Sequence, residues 1–191
     1  MVINKYFPGI IGYSNILNNS IDYIDNIEND IANNIYGWSK MLTGSELSKP
    51  EFYEEKRRGK NIGLSICATL SKNANDFQTK LTEATNIALS DYSSKYGYWG
   101  LVGEGWVLLK YEKDDFFVTH TDSSRSYPRQ VSTVYYVNDN YSGGELTFPY
   151  IDLTIKPMAG ELIVFPSTNM FSHQAEKIIE GTKYSLANWF N

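Results

Sequence analysis

The chain holds only two histidines, and both sit in settings suited to metal chemistry: His120 in His120-Thr121-Asp122, and His173 in Phe171-Ser172-His173-Gln174. Two imidazoles and one carboxylate make up the facial triad that holds Fe(II) in oxygenases while leaving coordination positions open. The spacing has a physical basis. Side chains at i and i+2 of a strand share a face, so His120 and Asp122 can reach one metal from a strand end. His173 opens the short, partly alternating segment His173-Gln-Ala-Glu-Lys-Ile-Ile, which reads as a strand able to lie beside the first. A lone His-x-Asp is a weak signal, because capping and surface residues produce it freely. Its surroundings must carry the argument.

Those surroundings form an ordered series. Trp106-Val-Leu-Leu-Lys-Tyr111 precedes Asp115-Phe-Phe-Val-Thr-His-Thr-Asp122; then come Arg129-Gln-Val-Ser-Thr-Val-Tyr-Tyr-Val-Asn138, Gly143-Gly-Glu-Leu-Thr-Phe-Pro149, Pro157-Met-Ala-Gly-Glu-Leu-Ile-Val-Phe-Pro166 and Lys183-Tyr-Ser-Leu-Ala-Asn-Trp189. In this order and spacing, roughly residues 99 to 191 resemble the catalytic domain of prolyl 4-hydroxylases, within the 2-oxoglutarate- and Fe(II)-dependent dioxygenases.

The resemblance implies a site. His120, Asp122 and His173 would hold Fe(II) as both metal ligands and catalytic centre. The cosubstrate 2-oxoglutarate would chelate the iron through its C1 carboxylate and C2 keto oxygen, with its C5 carboxylate on Lys183. Lysine there is more like the collagen-type prolyl hydroxylases than the oxygen-sensing group, where arginine is usual. Tyr136 matches a cosubstrate-binding tyrosine, Tyr111 one that lines the same pocket, and Ser185 is placed to add a hydrogen bond. Arg129 and Trp189 match positions near the substrate. The implied reaction couples oxidative decarboxylation of 2-oxoglutarate by O2 to hydroxylation of a substrate C–H, with ascorbate as a reductant. Halogenating relatives lack the carboxylate, so Asp122 favours hydroxylation. The implied substrate is proline in a peptide or protein, as in procollagen-proline 4-dioxygenases. Alternatives are a free amino acid or other small metabolite, a zinc hydrolase, or a non-catalytic jelly-roll binding module. A zinc hydrolase has no use for a buried Lys183 with its tyrosines, and a binding module would be expected to have lost a ligand.

The elements that must position these residues are short strands with turn signals: Trp106–Tyr111, Phe116–His120, Val131–Val137, Glu145–Phe148, Ile151–Ile155, Glu161–Phe165, His173–Ile178 and Lys183–Phe190. Eight strands suit a jelly roll, also called a double-stranded β-helix, whose open interior lets ligands from several strands converge. The expected class is α+β, mainly β. Alternation puts Lys183, Ser185, Ala187 and Trp189 on one face of the last strand and Tyr184, Leu186, Asn188 and Phe190 on the other; Ser132, Val134 and Tyr136 share a face, and Tyr135 points outward. The first half reads as helical support. Ile21, Ile24, Ile27, Ile31 and Ile35 follow a Ser20 cap, with Gly37 as a stop; Phe77, Leu81, Ala84, Ala88 and Tyr92 follow a cap at Asn75 or Asp76, with Gly97 at the end. The polar stretch Thr43 to Lys60, with its run Glu54-Glu-Lys-Arg-Arg58, reads as solvated surface or as a lid. Gly143-Gly144 reads as a tight turn.

At 191 residues the chain suits one domain, with residues 1–97 as support and 98–191 as catalytic core. Its 17 basic and 22 acidic residues give a net charge of −5, which disfavours nucleic acid as partner. A lone Cys67 cannot form an internal disulfide, and neither a leader-like segment nor a membrane-length apolar run is visible, so the expectation is a cytoplasmic protein without membrane association.

Overall fold

A computed structural model describes residues 1–17, 19–31, 37–41 and 54–191. In chain order the first half supplies β1 (Val2–Phe7), β2 (Ile10–Ser14), α1 (Ser20–Ile31), β3 (Ser39–Lys40), β4 (Lys60–Gly63), α2 (Leu64–Leu70) and α3 (Lys72–Tyr96). The second half follows with β5 (Val107–Tyr111), β6 (Phe117–His120), β7 (Val131–Tyr136), β8 (Ser142–Gly143), β9 (Leu146–Phe148), β10 (Leu153–Ile155), β11 (Glu161–Pro166), β12 (His173–Ala175), β13 (Ile178–Glu180) and β14 (Lys183–Phe190). An eight-stranded sheet runs β1-β2-β11-β7-β14-β5-β4-β3, and a four-stranded sheet runs β10-β9-β12-β6, with β13 and β8 paired separately. This is the expected mainly-β jelly roll.

The large sheet has two unlike faces because its central strands alternate. Leu186 and Phe190 of β14 point into a core shared with Leu108, Tyr135, Leu162 and Val164 of neighbouring strands and with Phe77, Leu81, Ala88 and Tyr92 of α3. The helices cover this face. The opposite face looks toward the small sheet, where Tyr136, Leu146, Phe148, Ile163 and Phe165 form a second cluster. Burying one face of a sheet fixes its register, since a one-residue slip turns every side chain over.

Several expectations need correction. Residues 1–97 are more than helical support, for β1 to β4 are half the strands of the large sheet; β2 extends β11 and β4 extends β5. α3 starts at Lys72, where the Ser71 hydroxyl accepts from the Ala74 N–H, rather than at an Asn75 or Asp76 cap. Its first turn is too polar for apolar periodicity to reveal. Thr85 and Leu89 complete its buried stripe, while Ala84 is only partly covered. The Gly97 stop holds, in the left-handed conformation that suits glycine. α2 was not anticipated. Ile24 and Ile27 of α1 are fully buried as expected, whereas Ile35 lies outside the described residues. Ser20 opens α1 but directs its hydroxyl to Tyr135. Tyr135 therefore points away from the small sheet as expected, yet it is fully buried beneath the helices rather than at the surface. The expected strand 173–178 is split between β12 and β13, which pair with different partners.

Of the stretch read as surface or lid, residues 43–53 lie outside the described residues. The described part is bound to the sheets: the Val118 N–H donates to Lys56 O and the Arg58 N–H to Phe116 O, each at 2.9 Å. Among the described residues, no helix is long and apolar enough to cross a membrane.

Because Leu186 faces the helices, Leu186→Ala is expected to destabilise the fold by about 2–5 kcal/mol. Urea unfolding checks the loss, and calorimetry should find ligand affinity at the opposite face within twofold of the parent.

Candidate active site

β6 ends at His120 and β12 begins at His173, and their antiparallel register places the two residues directly opposite one another. Asp122 sits just beyond the strand end. Its loop is held by the Ser123 N–H and the Thr121 hydroxyl, which donate to Ser167 O at 3.1 and 3.0 Å, and by Arg129, whose Nη1 reaches the Asp122 backbone carbonyl at 3.3 Å. The carboxylate then lies between the imidazoles, with Oδ1 3.6 Å from His120 Nε2 and Oδ2 3.6 Å from His173 Nε2. The three ligand atoms lie within 4.8 Å of one another.

The next layer of contacts fixes how these groups present themselves. His120 Nδ1 lies 3.0 Å from Val118 O and His173 Nδ1 3.1 Å from Phe171 O. A carbonyl only accepts, so each Nδ1 carries the hydrogen and each Nε2 offers its lone pair to the common centre. The Ser132 hydroxyl donates to Asp122 Oδ2 at 2.7 Å and is itself paired with Ser167. The His120 ring stacks on Phe117 at 3.6 Å, and Phe165 meets His173 edge-on at 4.7 Å.

Burial pushes the His173 imidazolium down to about 4 against the opposing pull of Asp122. Burial alone would raise the Asp122 carboxyl, but the two imidazoles and Ser132 outweigh it and hold the group below the usual carboxylate range. At neutral pH the cluster thus holds an uncharged His173 and an anionic Asp122, the protonation states that metal coordination needs. Two imidazole nitrogens and one carboxylate oxygen around a shared point fit Fe(II) and leave room for further ligands.

A cavity of about 630 Å³ opens from this cluster. All nine residues singled out in the sequence line it: His120, Asp122 and His173, with Tyr111, Tyr136, Lys183, Ser185, Arg129 and Trp189. The alternation of β14 is observed, since Lys183, Ser185, Ala187 and Trp189 all face the cavity. Lys183 is 2% exposed. Its Nζ donates to Gly144 O at 2.6 Å and lies 5.1 to 5.9 Å from the ring centres of Tyr136, Tyr111 and Tyr141. No carboxylate lies within ion-pairing distance of it among the described residues. Burial lowers its pKa to about 7, with more distant Glu145 opposing.

Some contributors escaped the sequence reading. Ser132 was placed on the correct face without a role; alternation was the signal, but its bond to Asp122 depends on a loop. Tyr141 lies in a loop without periodicity. Gly144 does more than turn the chain: its carbonyl holds Lys183, and at φ +69° a Cβ there would lie 2.4 Å from Ile178 and 3.3 Å from Lys183 Cδ. Arg129 is engaged by Glu104, a residue not singled out.

Residues 106–191 match the family model of the 2OG-Fe(II) oxygenase superfamily, 2OG being 2-oxoglutarate. The match covers a little under half of the chain. It contains every one of the nine cavity residues named above. Human prolyl 3-hydroxylase 2 is 33% identical over 67 residues, 32% of this chain and 10% of that protein, so the chain spans only about a tenth of the curated relatives it matches. Among solved structures, a viral collagen prolyl hydroxylase from Paramecium Bursaria Chlorella virus-1, in its 2OG complex, superposes with a TM-score of 0.68 at 16% identity, over 98% of this chain and 96% of that one. A Trichoplax adhaerens prolyl hydroxylase, in complex with a hypoxia inducible factor peptide, gives 0.74 at 16% identity, over 95% and 83%. A Pseudomonas putida prolyl-4-hydroxylase gives 0.66 at 18% identity, over 96% and 92%. At these identities the likeness concerns the jelly-roll fold.

At this cluster, Ser132→Ala is expected to weaken divalent-metal binding about 10- to 100-fold by freeing the Asp122 carboxylate. His120→Ala should remove specific binding altogether. Cobalt(II) titration followed by absorption checks both, with thermal melting to verify folding.

Proposed function

We propose that this chain is a 2-oxoglutarate- and Fe(II)-dependent dioxygenase of the prolyl 4-hydroxylase type, acting on proline in a peptide or protein. The observation that carries the reading is Lys183. A buried ammonium held by one carbonyl, in the same cavity as a three-ligand cluster, is costly unless an anion completes it. A cosubstrate with a chelating end and a distal carboxylate meets both needs. A zinc hydrolase would leave the lysine without a purpose. The substrate part draws on the three prolyl hydroxylases whose folds are described above and on prolyl 3-hydroxylase 2.

In this reading His120, Asp122 and His173 hold Fe(II) on one side of the cavity. Lys183 receives the C5 carboxylate of 2OG, Tyr111 and Tyr136 wall its pocket with phenol hydroxyls within the cavity, and Ser185 offers a further donor on the same strand face. When bound, the metal and 2OG supply the oxidative decarboxylation to succinate and CO2, using O2, that is coupled to substrate hydroxylation. The chain's own part is to orient both ligands and exclude competing reactions. Phe117, Phe148 and Phe165 contribute by surrounding the imidazoles with apolar rings. Arg129 and Trp189 form the substrate side of the mouth. The proposal treats residues 1–191 as one domain and needs neither nucleic acid nor a membrane; ascorbate serves as reductant.

The deciding experiment is mass spectrometry of proline-containing peptide libraries after Fe(II)-loaded protein is given 2OG and O2. A gain of one oxygen on proline, with matching succinate, is the expected result, and fragmentation against 3- and 4-hydroxyproline standards assigns the ring position. Succinate release stimulated only by free amino acids or other metabolites would retain the oxygenase and discard the prolyl substrate.

Two outcomes are expected at Lys183. Charge-assisted hydrogen bonds contribute about 1.5–3 kcal/mol, so Lys183→Ala should weaken 2OG binding roughly ten- to a hundredfold, and Tyr136→Phe should cost less. Affinity should also depend on pH. A bound carboxylate favours the ammonium, whose pKa before binding is about 7. Below pH 7 the lysine is already charged and affinity is flat; above it binding must take up a proton, and affinity falls by up to about tenfold per pH unit. Calorimetry with Mn(II) in place of iron, from pH 6 to 9, reads both effects, and Lys183→Met should flatten the alkaline limb.

A further inference from the structure

We infer that Glu104, in the loop between α3 and β5, is a positioning residue for the substrate mouth, holding Arg129 in one pose that braces both Trp189 and the Asp122 loop. The inference rests on the reading of Arg129 and Trp189 as the substrate side of the cavity. Glu104 does not line that cavity, so it acts through Arg129.

The geometry is that of a planar clamp. Glu104 Oε1 accepts from Arg129 Nε at 2.8 Å and Oε2 from Nη2 at 2.5 Å, a side-on pair of parallel bonds. The remaining nitrogen, Nη1, is thereby aimed at the Asp122 carbonyl, 3.3 Å away. The guanidinium lies 4.1 Å from the centre of the Trp189 ring and 5.1 Å from that of Tyr127. Each edge of the guanidinium is thus assigned a partner, and its face covers an aromatic wall.

Glu104 itself is fixed by backbone. Its N–H donates to Trp189 O at 2.9 Å, Val102 and Asn191 exchange both backbone bonds, and the Gly105 N–H donates to Asn188 Oδ1 at 3.0 Å. Residues 102–105 are therefore laid along the end of β14, and the carboxylate is delivered from beside the strand that carries Trp189. Arginine loses much side-chain freedom when held this way, and a carboxylate fork is the partner that matches its planar donors. Without Glu104 the guanidinium gains solvent-facing rotamers, leaving Trp189 and the Asp122 carbonyl without their brace.

The test is a double-mutant cycle, with Fe(II)-loaded protein for turnover of a proline-containing peptide that supports succinate release and Mn(II)-loaded protein for 2OG affinity. Glu104→Ala is expected to raise the peptide KM about tenfold with kcat within twofold and 2OG affinity unchanged; Arg129→Ala should do the same, and the double variant should be no worse than either. Glu104→Gln, which keeps one acceptor, should recover part of the loss and serves if the alanine variant folds poorly. Multiplicative effects in the double variant, or an unchanged KM in Glu104→Ala, would overturn the proposal. If the parent protein oxidises no peptide, the prolyl reading fails separately. Cobalt(II) titration then still reads the brace on Asp122: Glu104→Ala and Arg129→Ala should weaken metal binding by the same factor, non-additively, and parent-like affinity in both would overturn it.

Discussion

β14 pairs with β7 through Ser185–Phe190 on one side and with β5 through Lys183–Ala187 on the other, and its two faces serve opposite ends. Leu186 and Phe190 seal the sheet against α3, while Lys183, Ser185, Ala187 and Trp189 face the cavity. A slip of one residue would drive Lys183 into the helical core and bring Leu186 into the site. The apolar packing on the helical face therefore sets the register of the polar face. Helices far from the His120, Asp122 and His173 cluster enforce the position of Lys183.

The interior treats its buried charges in two distinct ways. Glu161 is fully buried, yet its two oxygens accept from the Tyr6 hydroxyl, the Asn4 amide and the Met158 N–H. It needs nothing further. Lys183 as an ammonium has three hydrogens and, among the described residues, one acceptor, Gly144 O, with aromatic rings completing its shell at distances where cation–π attraction is modest. A saturated buried charge serves the fold, whereas an under-satisfied one beside a cavity reserves bonding capacity for a ligand. The same contrast holds at the other end of the cavity, where the Asp122 carboxylate accepts from one hydroxyl, that of Ser132, and shares its remaining surroundings with the Nε2 atoms of the two imidazoles.

The catalytic half was legible because its signals are local and periodic. His120 and Asp122 stand two apart at a strand end, and alternation along Lys183–Phe190 and Val131–Tyr136 sorts cavity residues from core residues without tertiary information. The first half was less legible. The hairpin of β1 and β2 is stabilised by joining β11 in the sheet, a contact between residues about 150 apart that no local pattern announces. α2 is a single short run of seven residues, below the length at which helical periodicity separates from a buried strand. Ser132, Gly144 and Glu104 owe their roles to loops that bring distant partners close, so residue type alone could not distinguish them from ordinary turn or surface positions.

The division between chemistry and selectivity follows from the same geography. The segment that matches the oxygenase superfamily, residues 106–191, contains His120, Asp122, His173 and Lys183, the charged and metal-ligating groups of the cavity. The mouth is built from both halves. Lys56 and Arg57 line the cavity; Arg57 covers the Phe117 ring at 4.2 Å, and Phe117 in turn stacks on His120. Glu104 reaches the opposite rim through Arg129. Among the described residues, those before the matched segment thus meet the site by way of side chains that flank His120 or a wall of the cavity. Such positions can vary the shape and charge of the entrance while the metal geometry stays fixed by β6, β12 and the Asp122 loop. Proteins that share the second half of this chain are therefore expected to keep the His120, Asp122 and His173 geometry and to differ at the rim of the cavity.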